Sequence, residues 1–340
     1  MTPDTRDDEY LWDRSGPVDP AVADLEARLA PLRFDPASHP IALPRARRWR
    51  LRAIAAAAAI AASLLLVTGF WYYEWRFEWA PNRAWPVTVA PAAPGAAPTA
   101  ASLAVGESLR AIAPASASRI DIARVGTIDA SAGTDLTVSS TGARHRVRME
   151  RGTVDVRLWA PPGVFALHTP AGDVIDLGCV FQLAVDGDTT RLTVRTGWVQ
   201  LSNHFGESLV PAGASSTMRP DRRPLVPVYD DAAAAFAAAV RAFESGDTSG
   251  TALSSIVTTA RRRDVLTLLL LAARESGSDR ATLVARAAVL APPPATADLA
   301  AVSSGDNDAL WRWIDDGLTL PPVKGWWRNW RDALPRLLAR

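Results

Sequence analysis

The stretch Phe181 to Leu201, FQLAVDGDTTRLTVRTGWVQL, decides the fold class of this chain. Apolar and polar residues alternate with a period of two, and Leu192, Val194 and Thr196 share one face. Such a period sends successive side chains to opposite sides of a strand. The Asp186-Gly187 pair between the two apolar runs is a strong hairpin signal. Parity breaks near Gly197, which predicts a bulge or tight turn there.

Outward from this hairpin the same alternation extends over about Ile120 to Arg219, interrupted by Gly, Asp and Pro. In RHRVRMERGTVDVRL, residues 144–158, the apolar positions are Val147 and Met149, then Val154, Val156 and Leu158, and a hairpin turning at Arg151-Gly152 is expected. After Tyr229 the strand pattern stops. DDAAAAFAAAVRAFESG, DVLTLLLLAARES and DRATLVARAAVLAPPP read as successive helices, with another around Leu310, Trp311 and Ile314. Short Gly/Ser or Pro connections would gather them into a small bundle or repeat-like unit. On the other side, Pro81 to Pro98 is Pro/Ala-rich and aperiodic, the composition of a semi-extended linker.

Upstream of that linker, Ala53 to Tyr73 carries no charge. At ~1.5 Å per residue it covers the ~30 Å hydrocarbon core of a bilayer. Arg45, Arg47, Arg48, Arg50 and Arg52 precede it with no acid among them, whereas Glu74, Arg76, Glu78 and Arg83 follow it. That asymmetry predicts a cytoplasmic N terminus. Trp49 on one side, and Trp71, Tyr72, Tyr73, Trp75 and Trp79 on the other, supply rings suited to the headgroup layer. As a cleaved signal peptide the segment would have a charged region over fifty residues long, so anchoring is expected.

The first 44 residues are too few to bury much core. Within them Leu25, Leu29 and Leu32 recur at i, i+4 and i+7, and Asp19 followed by Pro20 forms a helix start, so an amphipathic helix is predicted over 19–32. A second is possible around Asp8 to Arg14. The stripe needs a partner, and Trp12, Leu25, Leu29 and Leu32 are the expected contact residues.

Composition narrows the function. A net charge of +1 over 340 residues provides no polyanion footprint, so direct nucleic-acid binding is not expected. The lone Cys179 rules out an internal disulfide or a multi-cysteine zinc site and reads as a small buried hydrophobe. GxxxxGK[ST], GxSxG, HExxH and CxxC are all missing from the sequence. His39, His145, His168 and His204 are scattered, and the aspartates of the Asp186–Asp188 turn are ordinary turn chemistry. No catalytic residue, metal ligand or cofactor is expected.

The segment FALHTPAGDVIDLGCVFQLAVDGDTTRLTVRTGWVQL resembles the core of the FecR-like domain. The residues that carry the resemblance are Thr169, Pro170 and Gly172, then Gly178 with Phe181, and Gly197 within the strand Val194 to Val199. RVRMERGTVDVRL and VPAGASSTMRP are similar to that family's flanking elements. Gly178-Cys179 departs from the usual Gly-Thr, and a helical C terminus replaces the small domain of the iron transducers, so iron-siderophore signalling is not implied. The resemblance implies an α+β chain of several domains: 1–44 a cytoplasmic anti-sigma segment, 45–80 a transmembrane helix with flanks (core 53–73), 81–100 a linker, 101–225 a periplasmic FecR-like β domain in the form of an antiparallel sandwich or solenoid-like roll, and 226–340 a helical domain. It implies a single-pass bacterial inner-membrane regulator, not an enzyme, whose partners are the lipid bilayer, an ECF-type sigma factor on the cytoplasmic side and a periplasmic ligand or protein of unspecified chemistry. The alternative is an envelope scaffold whose exported β domain binds polysaccharide or another envelope protein without signalling.

Overall fold

The computed structural model describes residues 18–35, 45–77, 79–80, 82–91, 95–114, 116–142, 144–247, 250–318 and 320. Trp12, the helix expected around Asp8 to Arg14, His39 and the tryptophan-rich tail after Pro321 lie outside them. The chain divides into two compact units, Met1–Thr68 and Gly69–Arg340.

The first unit holds helix α1 (Pro20–Leu29), which continues into a 3-10 turn over Ala30–Leu32, and most of helix α2 (Arg45–Phe77). α1 starts where the sequence places it. The Asp19 carboxylate accepts a hydrogen bond from the Ala21 N–H at 2.8 Å, and proline at the first position needs no donor partner.

In the second unit fourteen strands form two sheets that share one member. The first sheet runs β2 (Thr99–Leu103), β1 (Trp85–Val89), β3 (Ser118–Ile122), β4 (Gly126–Ala130), β6 (His145–Leu158), β9 (Val180–Asp186), β10 (Thr189–Thr196), β13 (Ala214–Met218) and β14 (Val228–Tyr229), with every neighbouring pair antiparallel. The second runs β5 (Asp135–Ser140), β6, β7 (Phe165–Thr169), β8 (Gly172–Asp176), β11 (Trp198–Asn203) and β12 (Gly206–Pro211), and only β6 and β7 run parallel.

The shared strand corrects one expectation. Arg151-Gly152 is not a hairpin: β6 is a single strand of 14 residues. Its first half pairs with β5 and β7, and its second half with β4 and β9. Burial switches from His145, Val147 and Met149 to Val154, Val156 and Leu158, so the strand bends and changes parity at Gly152. There φ is +104°, and a Cβ would meet Thr134 Cα at 2.6 Å. Sequence alone does not separate a reversal from such a switch, because both require glycine between two alternating runs.

The linker expectation for 81–100 is also corrected, since β1 and the start of β2 lie inside it. Trp85 is fully buried and Val87 nearly so, within the same core as the rest of the sandwich. Five residues are enough for a strand but too few to show periodicity next to an Ala/Pro run.

Helices follow: α4 (Ala234–Glu244), α5 (Thr251–Thr259), α6 (Val265–Ala272), α7 (Gly277–Leu290), α8 (Leu299–Ser304) and α9 (Asn307–Gly317), of which α4, α6, α7 and α9 fall on the expected segments while α5 and α8 were not foreseen, besides a short α3 (Leu109–Ile112) in the β region. All eight residues of α6 are buried, and Thr267 Oγ1 donates to the Pro227 carbonyl at 2.7 Å, which satisfies its one polar side chain. The inner faces of the sandwich and of these helices belong to one hydrophobic cluster, so residue 226 marks no break in packing. The molecule is α+β, with the two sheets joined through β6 into one large mixed sheet, one long apolar helix and a set of C-terminal helices.

Candidate functional site

α1 is the first candidate surface. Leu25, Leu29 and Leu32 are 56%, 50% and 78% exposed, and none of the helix residues is buried. An Arg28–Asp24 ion pair at 2.8 Å decorates the helix one turn apart. Exposed pairs of this kind contribute only ~0.3–0.5 kcal/mol, so the helix depends on its cap and on whatever covers its leucines.

α2 is the second. Within its 33 residues, Leu51–Tyr72 has a mean hydropathy of 2.2 and no buried residue, making it one helix long and apolar enough to cross a membrane. Its hydroxyls fit that environment: Ser63 donates to the Ala59 carbonyl at 2.9 Å and Thr68 to the Leu64 carbonyl at 2.7 Å. Each thus has a partner inside the helix, as a polar group in hydrocarbon must.

The last part of α2 belongs to the same unit as the sandwich. The turn between β3 and β4 projects Arg124 onto it. The Arg124 guanidinium donates to the Trp75 carbonyl and lies 4.5 Å from the Trp75 ring centre and 5.4 Å from that of Trp79. Arg83 covers the Trp79 ring at 3.9 Å, and Trp79 Nε1 donates to the Arg83 carbonyl at 2.7 Å. Trp159 Nε1 donates to the Arg124 carbonyl at 2.9 Å. Sequence reasoning missed this cluster, because a single arginine in a three-residue connection between strands carries no periodic signal.

The residues that carry the family resemblance form two close contacts. Thr169 and Gly172 close the β7–β8 hairpin, with Thr169 Oγ1 donating to the Gly172 carbonyl at 2.9 Å and accepting from Thr190 Oγ1 at 2.8 Å. Pro170 stands in that turn. Gly178 and Gly197 meet: φ at Gly197 is +75°, and a Cβ there would run into the Gly178 carbonyl and come within 3.1 Å of Cys179 Cα. The β9–β10 register shifts between Val194 and Thr196, just before this point. Phe181 is fully buried opposite Val194 and Val156. These are packing and turn roles.

Cys179 is buried and donates its S–H to the Asp176 carboxylate, which also accepts from the Gly178 N–H at 3.0 Å. Burial pushes the thiol well up, and the neighbouring Asp176 adds to the shift, so it stays a thiol and a poor nucleophile. The three histidines of the β region do not meet at one point. His145 is buried edge-on to Trp85, with ring centres 5.8 Å apart. His168 and His204 border one cleft of about 430 Å³ with Asp173, Asn203 and Pro220. There His168 Nδ1 lies 2.9 Å from Asp173, and His204 stacks on the half-exposed Phe205 with ring centres 3.9 Å apart. Among the described residues no three His, Cys, Asp or Glu side chains form a group able to hold a metal ion.

No protein-family model matches this chain, and no curated protein does. Two crystal structures of a candidate anti-sigma factor from Parabacteroides distasonis ATCC 8503 are similar to part of it. One, at 21% identity and a TM-score of 0.27, matches 34% of this chain and 55% of its own length. The other, at 20% identity and a TM-score of 0.29, matches 41% of this chain and 62% of its own. The chain thus spans less than two thirds of the length of either, and at this level the likeness carries no argument about function.

Proposed function

We propose that the chain is a single-pass inner-membrane regulator of the FecR-like anti-sigma type. α2 is its transmembrane helix, the N-terminal segment faces the cytoplasm, and the sandwich with its helices lies in the periplasm. The cytoplasmic segment holds an ECF-type sigma factor, and engagement of the exported sandwich by a ligand or protein alters that hold. The observation that carries this reading is the leucine stripe of α1, Leu25, Leu29 and Leu32, which stands exposed on a segment too short to cover it. A sigma factor supplies the missing apolar surface. Burying each leucine contributes ~1.5–3 kcal/mol before the cost of ordering the segment is subtracted.

Replacing Leu25 and Leu29 together by Asp tests this. The sigma factor is expected to co-purify with the wild-type chain and to be lost from the double variant, while insertion into membranes is unchanged. Full retention by the variant, or no sigma factor with the wild type, overturns the reading. In that case the envelope-scaffold alternative gains weight. The cleft beside His168 and His204 offers the polar wall of Asp173, Ser202 and Asn203 that would hydrogen-bond a sugar.

A further inference from the structure

We propose that the β3–β4 turn, with Arg124 and the neighbouring Trp159, is a bilayer-contacting edge of the sandwich, seated among the phospholipid headgroups of the membrane that α2 crosses. It rests on the membrane reading of α2. Depth is the first argument. Trp75 follows Tyr72, the last residue of the apolar span, by three positions. At ~1.5 Å per residue that is ~4.5 Å beyond the hydrocarbon, inside a headgroup layer ~5–7 Å thick on each side. The Arg124 guanidinium touches both the carbonyl and the ring of Trp75 and so lies at that depth, and Trp159 bonds the Arg124 backbone carbonyl, one arginine side chain away.

Chemistry is the second argument. Trp159 is 52% exposed although its indole N–H is already satisfied by the Arg124 carbonyl, which leaves an apolar ring edge facing outward. Indoles gain by lying at the boundary between acyl chains and water. Guanidinium groups stack on aromatic rings and pair with phosphate at the same time, and Arg124 and Arg83 already stack on Trp75 and Trp79. Anionic headgroups complement these two cations.

Backbone strain is the third. Ala123, directly before Arg124, has φ +48°, and among the described residues it is the one non-glycine with positive φ. Such a conformation is strained for a residue with a side chain and persists only where the surroundings hold it. Here it aims Arg124 at the helix exit.

The test uses the full-length chain with Cys179→Ser, carrying one added cysteine at a time for a fluorescent label: Trp159→Cys, Asp121→Cys beside the turn, and Val289→Cys on the exposed face of α7. Each protein is reconstituted into phosphatidylcholine–phosphatidylglycerol vesicles containing a lipid with a quencher near its headgroup. At least twice the quenching is expected at position 159 or 121 as at 289, and Arg124→Glu should reduce it. Quenching at both 159 and 121 no greater than at 289 overturns the proposal while leaving the membrane reading intact. Failure of the chain to float with the vesicles overturns both.

Discussion

At the scale of single residues, Gly197 carries the clearest consequence. Its positive φ and its approach to the Gly178 carbonyl leave no room for a side chain at the end of β10. Gly197→Val is therefore expected to destabilise the chain by ~1–3 kcal/mol, the range for a side chain forced into such backbone. Thermal unfolding of the two proteins side by side checks this, and an unchanged midpoint would show that the β10–β11 corner yields freely. The need for glycine here was legible from the broken alternation after Thr196. The sheet switch at Gly152 was not, because the residues on either side of it alternate equally well in a hairpin and in a strand that crosses between sheets.

Among elements, the long helices and the β9–β10 hairpin were the most legible, and short pieces next to featureless sequence the least. α1 starts, the apolar span of α2 begins and the β9–β10 hairpin turns at residues whose chemistry announces them: Asp19 and Pro20, the run of arginines up to Arg52, and the Asp186-Gly187 turn. β1 was hidden, since its two buried residues, Trp85 and Val87, sit among Pro and Ala. Of the candidate site, the leucine stripe of α1 was readable from its spacing, whereas the Arg124 cluster depends on residues 49 positions apart and leaves no trace in local pattern. The element with the sharpest prediction is α2. Protease added outside spheroplasts is expected to digest the chain beyond about residue 75 and to spare the N-terminal segment, because the proposed topology, argued from the arginine excess before the span, puts that end in the cytoplasm. Cleavage before Arg45, or recovery of the chain as a soluble protein, would reverse the orientation or remove the anchor.

Across the whole molecule, the helices and the sandwich are joined by charged groups as well as by apolar packing. Glu244 on α4 accepts from the Val226 N–H at 3.0 Å and pairs with Arg274, both side chains being largely buried. Burial pushes the Glu244 carboxyl up to about 7, against the opposing pull of Arg274 and of the Val226 N–H. Burial also lowers the Arg274 guanidinium, so desolvation outweighs the mutual attraction of the pair. Between its ordinary value and about 7 the folded chain keeps a proton that the unfolded chain has released. The contribution is therefore complete below the ordinary range and is lost as pH rises through about 7. Its size is on the order of 1–3 kcal/mol. Wild type should lose stability from pH 5 to 7.5 more steeply than Glu244→Gln, measured by thermal unfolding of the detergent-solubilised chain; parallel curves would show that Glu244 does not titrate there.

The placement of β1 has a mechanical consequence. It is the first strand after α2, and it lies between two neighbours, matched to β2 at five positions and to β3 at three. A pull transmitted along the chain from the helix meets those rungs side by side, as a shearing load shared among them, instead of peeling them open one after another. The attachment yields as a whole or holds as a whole, so a modest pull on the chain before Trp85 loads all these rungs together and does not peel β1 from its neighbours.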